Sequence, residues 1–212
     1  MINILLVDDH TIVRDGLKRI ISESIGMEVI AEAENGQIAL DIIYENSSIN
    51  FVVLDISMPG RSGLDVLKDI KNYNPELSVL MLSMHAQDQY AIRTLKAGAS
   101  GYLTKESASE LLVEAIQKIH QGGRFISNEL AELLALSLND KKVDFPHDQL
   151  SDREYQVMIL IASGKTIVEI SKELVLSDKT ISTYRARILE KMNLRTNSEI
   201  THYAFLNKLV TK

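Results

Sequence analysis

Phe51-Val52-Val53-Leu54-Asp55 sets four apolar residues in a row against a closing acid, and the fold turns on how that stretch is read. A strand with one wet face would alternate. A run apolar at every position suits a central strand of a parallel sheet, covered by helices on both sides. Outward from it, Ile2 to Val7, Glu28 to Ala33, Val79 to Leu82 and Gly101 to Leu103 repeat the short β-rich pattern. Stretches of helical periodicity follow each run, at roughly 11–24, 36–46, 62–72, 87–97 and 107–121. Strand then helix, five times over, predicts an α/β fold, a doubly wound five-stranded parallel sheet.

The chemistry sits at the ends of these runs. Asp8 and Asp9 follow the first, Asp55 the third and Ser83 the fourth, while Lys105 lies just past the fifth. In open parallel sheets ligands bind outside the carboxyl ends of the strands, so these residues are expected to converge at one edge. One acid at a strand end is most often a turn former or helix cap; several at successive strand ends point to a site. Carboxylates packed together repel unless protonated or bridged by a cation, and oxygen ligands favour magnesium, with manganese as an alternative. Beside such a cation Asp55 could attack a phosphoryl group, with Lys105 balancing charge and Ser83 hydrogen-bonding the same oxygens. His10 adjoins the acids, but neighbouring side chains of an extended segment point opposite ways. It need not share the pocket, and a non-catalytic role is expected.

Gly122-Gly123 closes this half, and an amphipathic helix is expected over Ser127 to Leu138. Asn139 to Gln149, with five charged residues and Pro146, reads as a hinge. Beyond it the pattern is helical, with capping boxes at Ser151/Glu154 and Thr166/Glu169 and a further cap at Ser177. Helices are predicted near 152–163, 167–174, 178–192 and 197–207. The net charge of −6 hides an asymmetry: residues 149–212 hold ten Lys/Arg against seven Asp/Glu, a net +3, which leaves −9 for residues 1–148. In the third of these helices Ile181, Ile188 and Met192 face a core. Lys179, Ser182, Thr183, Ala186 and Arg187 then make a small basic surface that can enter a major groove. A merely solvated polar face is the alternative that composition leaves open.

The motifs together carry a resemblance. Val7-Asp8-Asp9-His10, Leu54 to Gly60, Ser83, Ala97-Gly98-Ala99 and Gly101 to Lys105 resemble the receiver domain of bacterial response regulators. Leu150 to Glu154, Ile161 to Lys165, Glu169-Ile170, Leu176-Ser177 and Lys179 to Leu189 resemble the LuxR-type helix-turn-helix, and the whole is similar to the NarL/FixJ family. The resemblance implies a receiver over 1–123, a linker with a short helix over 124–148 and a small all-α DNA-binding domain over 149–212. It implies that Asp55 accepts a phosphoryl group from a sensor histidine kinase. Asp9, Asp55 and the carbonyl of Ser57 would hold magnesium, assisted by Asp8, and Lys105 would pair with the phosphoryl group. Ser83 and Tyr102 match the family's switch pair. Helix 178–192 would be the recognition helix, with base-edge contacts from Ser182, Thr183 and Ala186 and phosphate contacts from Lys179, Thr180, Tyr184, Arg185 and Arg187. The last helix would pair two copies on promoter DNA.

Two positions depart from the common pattern: Glu106 stands where many receivers have proline, and Ser182 where many relatives have lysine. The implied control is a population shift toward a dimerising, DNA-binding state, and catalysis is expected only of the receiver's own phosphorylation and dephosphorylation. A magnesium-dependent phosphohydrolase is the rival, but its usual second aspartate, two residues after the nucleophile, is Ser57 here. A receiver that works without phosphorylation is another. Lack of cysteine removes disulfides, thiolate metal sites and a cysteine nucleophile. No apolar run spans a membrane and Met1 leads straight into a strand, so a cytoplasmic protein is expected.

Overall fold

The structure is a computed structural model that describes residues 1–84, 88–127, 130–131, 145–207 and 209–210, for 88–90 the backbone alone. The chain divides into two compact units, Met1–Leu136 and Ser137–Lys212.

In the first unit β1 (Ile2–Val7), β2 (Met27–Ala33), β3 (Phe51–Asp55), β4 (Ser78–Ser83) and β5 (Gly101–Thr104) alternate with α1 (Thr11–Ser22), α2 (Gly36–Glu45), α3 (Gly63–Tyr73), α4 (Asp88–Lys96) and α5 (Lys105–His120). The strands form one parallel sheet in the order β2-β1-β3-β4-β5. The chain therefore reverses direction across the sheet between β1 and β3, where such folds open a crevice at the strand carboxyl ends.

Alternation within each strand sorts the core. Ile4, Leu6, Phe51, Val53, Leu80 and Leu82 join Leu17 and Ile21 of α1 and Leu112, Ile116 and Ile119 of α5 in one buried cluster. The intervening Leu5, Val7, Val52, Leu54, Val79 and Met81 point to the other face and are equally buried. That double coverage is why β3 reads as an unbroken apolar run.

Three boundaries bear on the site. β3 extends through Asp55 and β4 through Ser83, so both residues are the last of their strands rather than the first of a loop. α5 begins at Lys105, two residues earlier than periodicity suggests, because Thr104 caps it by accepting a hydrogen bond from the Ser107 N–H (3.1 Å). A cap formed at the end of β5 fixes Lys105 in the first turn.

Gly63 starts α3 directly beneath Asp55, and a Cβ there would lie 2.0 Å from the Asp55 carbonyl oxygen. Only a residue without a side chain lets the helix approach so closely. Gly63→Ala is expected to lower stability by about 1–3 kcal/mol through overpacking. A urea midpoint equal to that of the wild type would show that α3 moves aside at no cost.

After α5 the chain returns to the sheet edge, where Phe125 bridges Gly101: the Tyr102 N–H donates to the Phe125 carbonyl (2.9 Å) and the Phe125 N–H to the Ser100 carbonyl (3.2 Å). Of the helix expected over Ser127 to Leu138, Leu130 and Ala131 are helical and most of the rest lies outside the described residues.

Among the described residues of the second unit the first element is a short 3-10 helix, Pro146–Gln149, at the end of the stretch read as hinge. Then come α6 (Asp152–Ala162), α7 (Ile167–Leu174), α8 (Asp178–Lys191) and α9 (Asn197–Leu206). Both expected capping boxes form, at Ser151/Glu154 and Thr166/Glu169, and Ser177 caps α8. Gly164 ends α6 in the left-handed region (φ 89°). Among the described residues no helix is long and apolar enough to cross a membrane.

Candidate functional site

The first unit gathers acids at the carboxyl ends of β1 and β3. Asp8 is 1% and Asp55 0% exposed, and Lys105 reaches both: its Nζ lies 2.6 Å from Asp8 Oδ2 and 2.8 Å from Asp55 Oδ2. Asp55 Oδ1 accepts the Ser57 backbone N–H (3.2 Å). Arg14 holds the loop from α1 by donating Nη1 to the Asp8 carbonyl (2.6 Å). Ser83 (1% exposed) and Tyr102 (7%) are both buried, on β4 and β5.

Burial dominates the electrostatics of Asp55. Loss of hydration pushes its pKa up from 3.8 to about 6; Asp8 adds to this, while the Lys105 ammonium and the Ser57 N–H pull the other way. Burial also works against the Lys105 charge, but Asp55 and Asp8 outweigh it and hold this lysine above its ordinary pKa. One ammonium thus bridges two buried carboxylates without fully offsetting the desolvation of Asp55.

Asp9 and His10 complete the cluster. One ligand atom from each of Asp8, Asp9, His10 and Asp55 can be chosen so that all lie within 4.8 Å of one another. Asp9 Oδ1 is buried and accepts no hydrogen bond; its neighbour is His10 Nδ1 at 2.9 Å. Crowded carboxylate oxygens with an unsatisfied lone pair fit a small divalent cation. His10 is where the structure departs from expectation. Alternation stops at Val7, and the His10 backbone N–H folds back to Asp8 Oδ1 (2.8 Å), which brings the ring to the same acids instead of away from them.

The second unit presents a different surface. On α8, Ile181 and Ile188 are buried, whereas Lys179, Ser182, Thr183, Ala186 and Arg187 are exposed and Thr180, Tyr184 and Arg185 half-buried. Ser177, Lys179, Thr180, Thr183, Tyr184 and Arg187 line an open depression of about 320 Å³. Hydroxyls, an aromatic ring and cations around one hollow suit a phosphate backbone and base edges.

Comparison with known proteins bears on both units. Residues 4–117 match the response regulator receiver domain, and residues 148–204 match the bacterial regulatory proteins of the luxR family. The chain belongs to the NarL/FixJ family of response regulators. It is 38% identical to the response regulator UvrY of Escherichia coli strain K12, over 99% of this chain and 96% of that protein. It is 36% identical to the response regulator GacA of Pseudomonas aeruginosa, over 99% and 98% of the two chains. Among solved structures, the Salmonella typhimurium RcsB response regulator aligns with a TM-score of 0.59 at 26% identity, covering 97% of this chain and 98% of that one. An RcsB–DNA complex aligns at 0.60 and 26%, covering 99% of each. Members of this family are DNA-binding transcriptional regulators.

Within this NarL/FixJ regulator, sequence reasoning missed several contacts of the helical unit. Arg185 donates Nε to Asn197 Oδ1 (2.5 Å) and so ties the recognition-helix candidate to the start of α9. His147, 1% exposed, shares a 2.7 Å hydrogen bond with the Tyr203 hydroxyl. Neither follows a local spacing rule, since the partners are 12 and 56 residues apart.

Val175, in the turn between α7 and α8, has φ 52° and is 67% exposed. A β-branched residue in the left-handed region is strained, and its exposure means little burial offsets the cost. Val175→Asn is expected to stabilise the unit by on the order of 1 kcal/mol. Thermal unfolding of the two proteins side by side checks this; no rise in Tm would mean the turn carries no strain.

Proposed function

We propose that Asp55 accepts a phosphoryl group from the phosphohistidine of a sensor kinase, and that this charge change controls pairing and promoter binding by the second unit. One observation carries the reading: a single ammonium, Lys105, spans the buried carboxylates of Asp8 and Asp55 at the switch point of the sheet. An Asp55 oxygen attacks phosphorus, the donor's P–N bond breaks as the P–O bond of an acyl phosphate forms, and the imidazole leaves with the electron pair. Lys105 then follows the phosphoryl oxygens. Asp8, Asp9, Asp55 and the Ser57 carbonyl would hold magnesium, which when bound offsets the charge of the acids and the incoming group. Ser83 and Tyr102, both buried beside the pocket strands, would act as the switch pair that carries the change outward.

For the second unit, Ser182, Thr183 and Ala186 are assigned to base edges. Lys179, Thr180, Tyr184, Arg185 and Arg187 are assigned to phosphates, Arg185 through guanidinium nitrogens beyond the Nε given to Asn197. The receiver is assigned to 1–123, the linker to 124–148 and the DNA-binding domain to 149–212. The chain is proposed to act in the cytoplasm and to catalyse nothing beyond its own phosphorylation and dephosphorylation.

Incubation with magnesium and acetyl phosphate, read by intact mass, tests the assignment. Wild type is expected to gain one phosphoryl group and Asp55→Ala none. Equal labelling of both would place the acceptor elsewhere, and sustained turnover of a phosphate ester would favour a hydrolase.

A further inference from the structure

Resting on the reading of α8 as the recognition helix, we propose that this helix selects thymine through side-chain methyl groups. Those of Thr183 and Ala186 meet the 5-methyl groups of neighbouring thymines in the major groove. The observation that carries this is where the Thr183 hydroxyl goes. Its Oγ1 donates to the Lys179 carbonyl, one turn back along the same helix (2.9 Å). The one proton of that hydroxyl is thereby committed inside α8, which leaves the Cγ2 methyl as the group of Thr183 not engaged within the helix.

The neighbours on that face fit the same reading. Ala186 has a methyl group as its whole side chain, and it stands three residues from Thr183. The two side chains are therefore adjacent on the helix surface, about 5–6 Å apart at Cβ. Bases rise about 3.4 Å per step along a strand, so such a pair reaches bases one or two steps apart. Both residues are exposed, on the side of α8 away from buried Ile181 and Ile188. Lys179 and Arg187, one turn to either side of Thr183, carry the positive charge and line the open hollow together with Ser177 and Tyr184.

The chemistry of the major groove makes methyl groups selective. Thymine is the one base that presents a methyl there, beside its O4 acceptor. Two-pronged recognition of guanine needs Arg or Lys, and that of adenine Asn or Gln; Ser182, Thr183 and Ala186 supply none of these. The hydroxyl of Ser182 both donates and accepts, so it pairs with any base without ranking them. Selection therefore falls to the two methyls, whereas affinity comes mostly from Lys179, Arg187 and the other phosphate contacts.

The full chain, with magnesium and acetyl phosphate, is used to select duplexes from a DNA library that contains a randomised segment. The enriched duplexes are remade with deoxyuridine in place of thymidine, one position at a time, which removes the 5-methyl group and nothing else. Burying one methyl changes affinity about fourfold, so a loss of at least about threefold is expected at one or two positions. Thr183→Ser keeps the hydroxyl and removes the methyl; it should bind thymine and uracil alike at one of those positions. Thr183→Val keeps the methyl and removes the hydroxyl, and its ratio of thymine to uracil affinity should stay that of wild type. The exposure of Thr183 makes both substitutions benign to the fold, which an unchanged Tm verifies. Equal affinity of wild type for thymine and uracil at every position would overturn the methyl readout and leave α8 standing as the recognition helix. So would discrimination that survives in Thr183→Ser or vanishes in Thr183→Val. Failure to enrich any sequence, with or without the phosphodonor, would remove the underlying reading itself.

Discussion

Asp55→Asn is expected to yield a protein that takes no phosphoryl group yet unfolds at a higher temperature than wild type in the presence of a chelator. The Asp55 carboxylate is fully buried, and its folded pKa is raised from 3.8 to about 6. A raised carboxyl pKa contributes stability that is present below the unfolded value and lost as pH rises through the folded one. Between about pH 4 and pH 6 the wild type should therefore lose ground, by at most about 3 kcal/mol at roughly 1.4 kcal/mol per unit. The asparagine variant does not ionise there and keeps Asp8 as a partner for Lys105. Calorimetry of the two proteins at pH 4 and at pH 7.5 should show a gap in Tm that widens with pH; a gap that narrows would mean that the ion pair with Lys105 outweighs burial.

Glu154→Ala should have the opposite sign and act on the second unit. Glu154 is 2% exposed, and its Oε2 accepts both the Ser151 backbone N–H (2.8 Å) and Lys191 Nζ (2.7 Å). One carboxylate thereby closes the capping box of α6 and links it to α8. Removing one partner of a buried pair costs about 3–5 kcal/mol, and because Lys191 is 39% exposed and finds water, about 3 kcal/mol is expected. Burial alone would raise the Glu154 pKa, but the hydrogen bonds from Lys191 and Ser151 prevail and lower it below 4.5. This stability is present above the unfolded pKa and should fade as pH falls through the lower folded value. Urea unfolding of the helical unit, followed by circular dichroism, provides the check. A loss under about 1 kcal/mol would mean that Lys191 and the cap contribute little.

These two residues mark what a linear sequence reveals. Asp55 was legible because it ends an apolar run, and strand ends of a parallel sheet converge whatever their separation along the chain. Glu154 was legible as a cap, since a capping box is a three-residue spacing, but its bond to Lys191 spans 37 residues and leaves no local mark. His10 was placed by the alternation rule, which fails once the strand stops and a backbone hydrogen bond turns the chain. The 3-10 helix at Pro146–Gln149 was hidden inside a charged stretch whose composition signals a hinge. Val175 was unreadable for a different reason: it is the left-handed cap that closes α7, where the Val175 N–H donates to the Lys172 carbonyl (3.3 Å) and the Leu176 N–H to the Ser171 carbonyl (2.9 Å), and that conformation contradicts a β-branched residue's own preference. On α8, periodicity separated buried Ile181 and Ile188 from the exposed polar face, but it carried no hint that Arg185 is tied to Asn197.

On the proposed reading, the charge state of Asp55 governs self-association. Sedimentation velocity of the full chain with magnesium, before and after acetyl phosphate, in wild type and Asp55→Ala, addresses it most directly. A shift from monomer to dimer is expected in wild type alone. Dimerisation of both proteins to the same extent, or a phosphorylated wild type that stays monomeric, would contradict it.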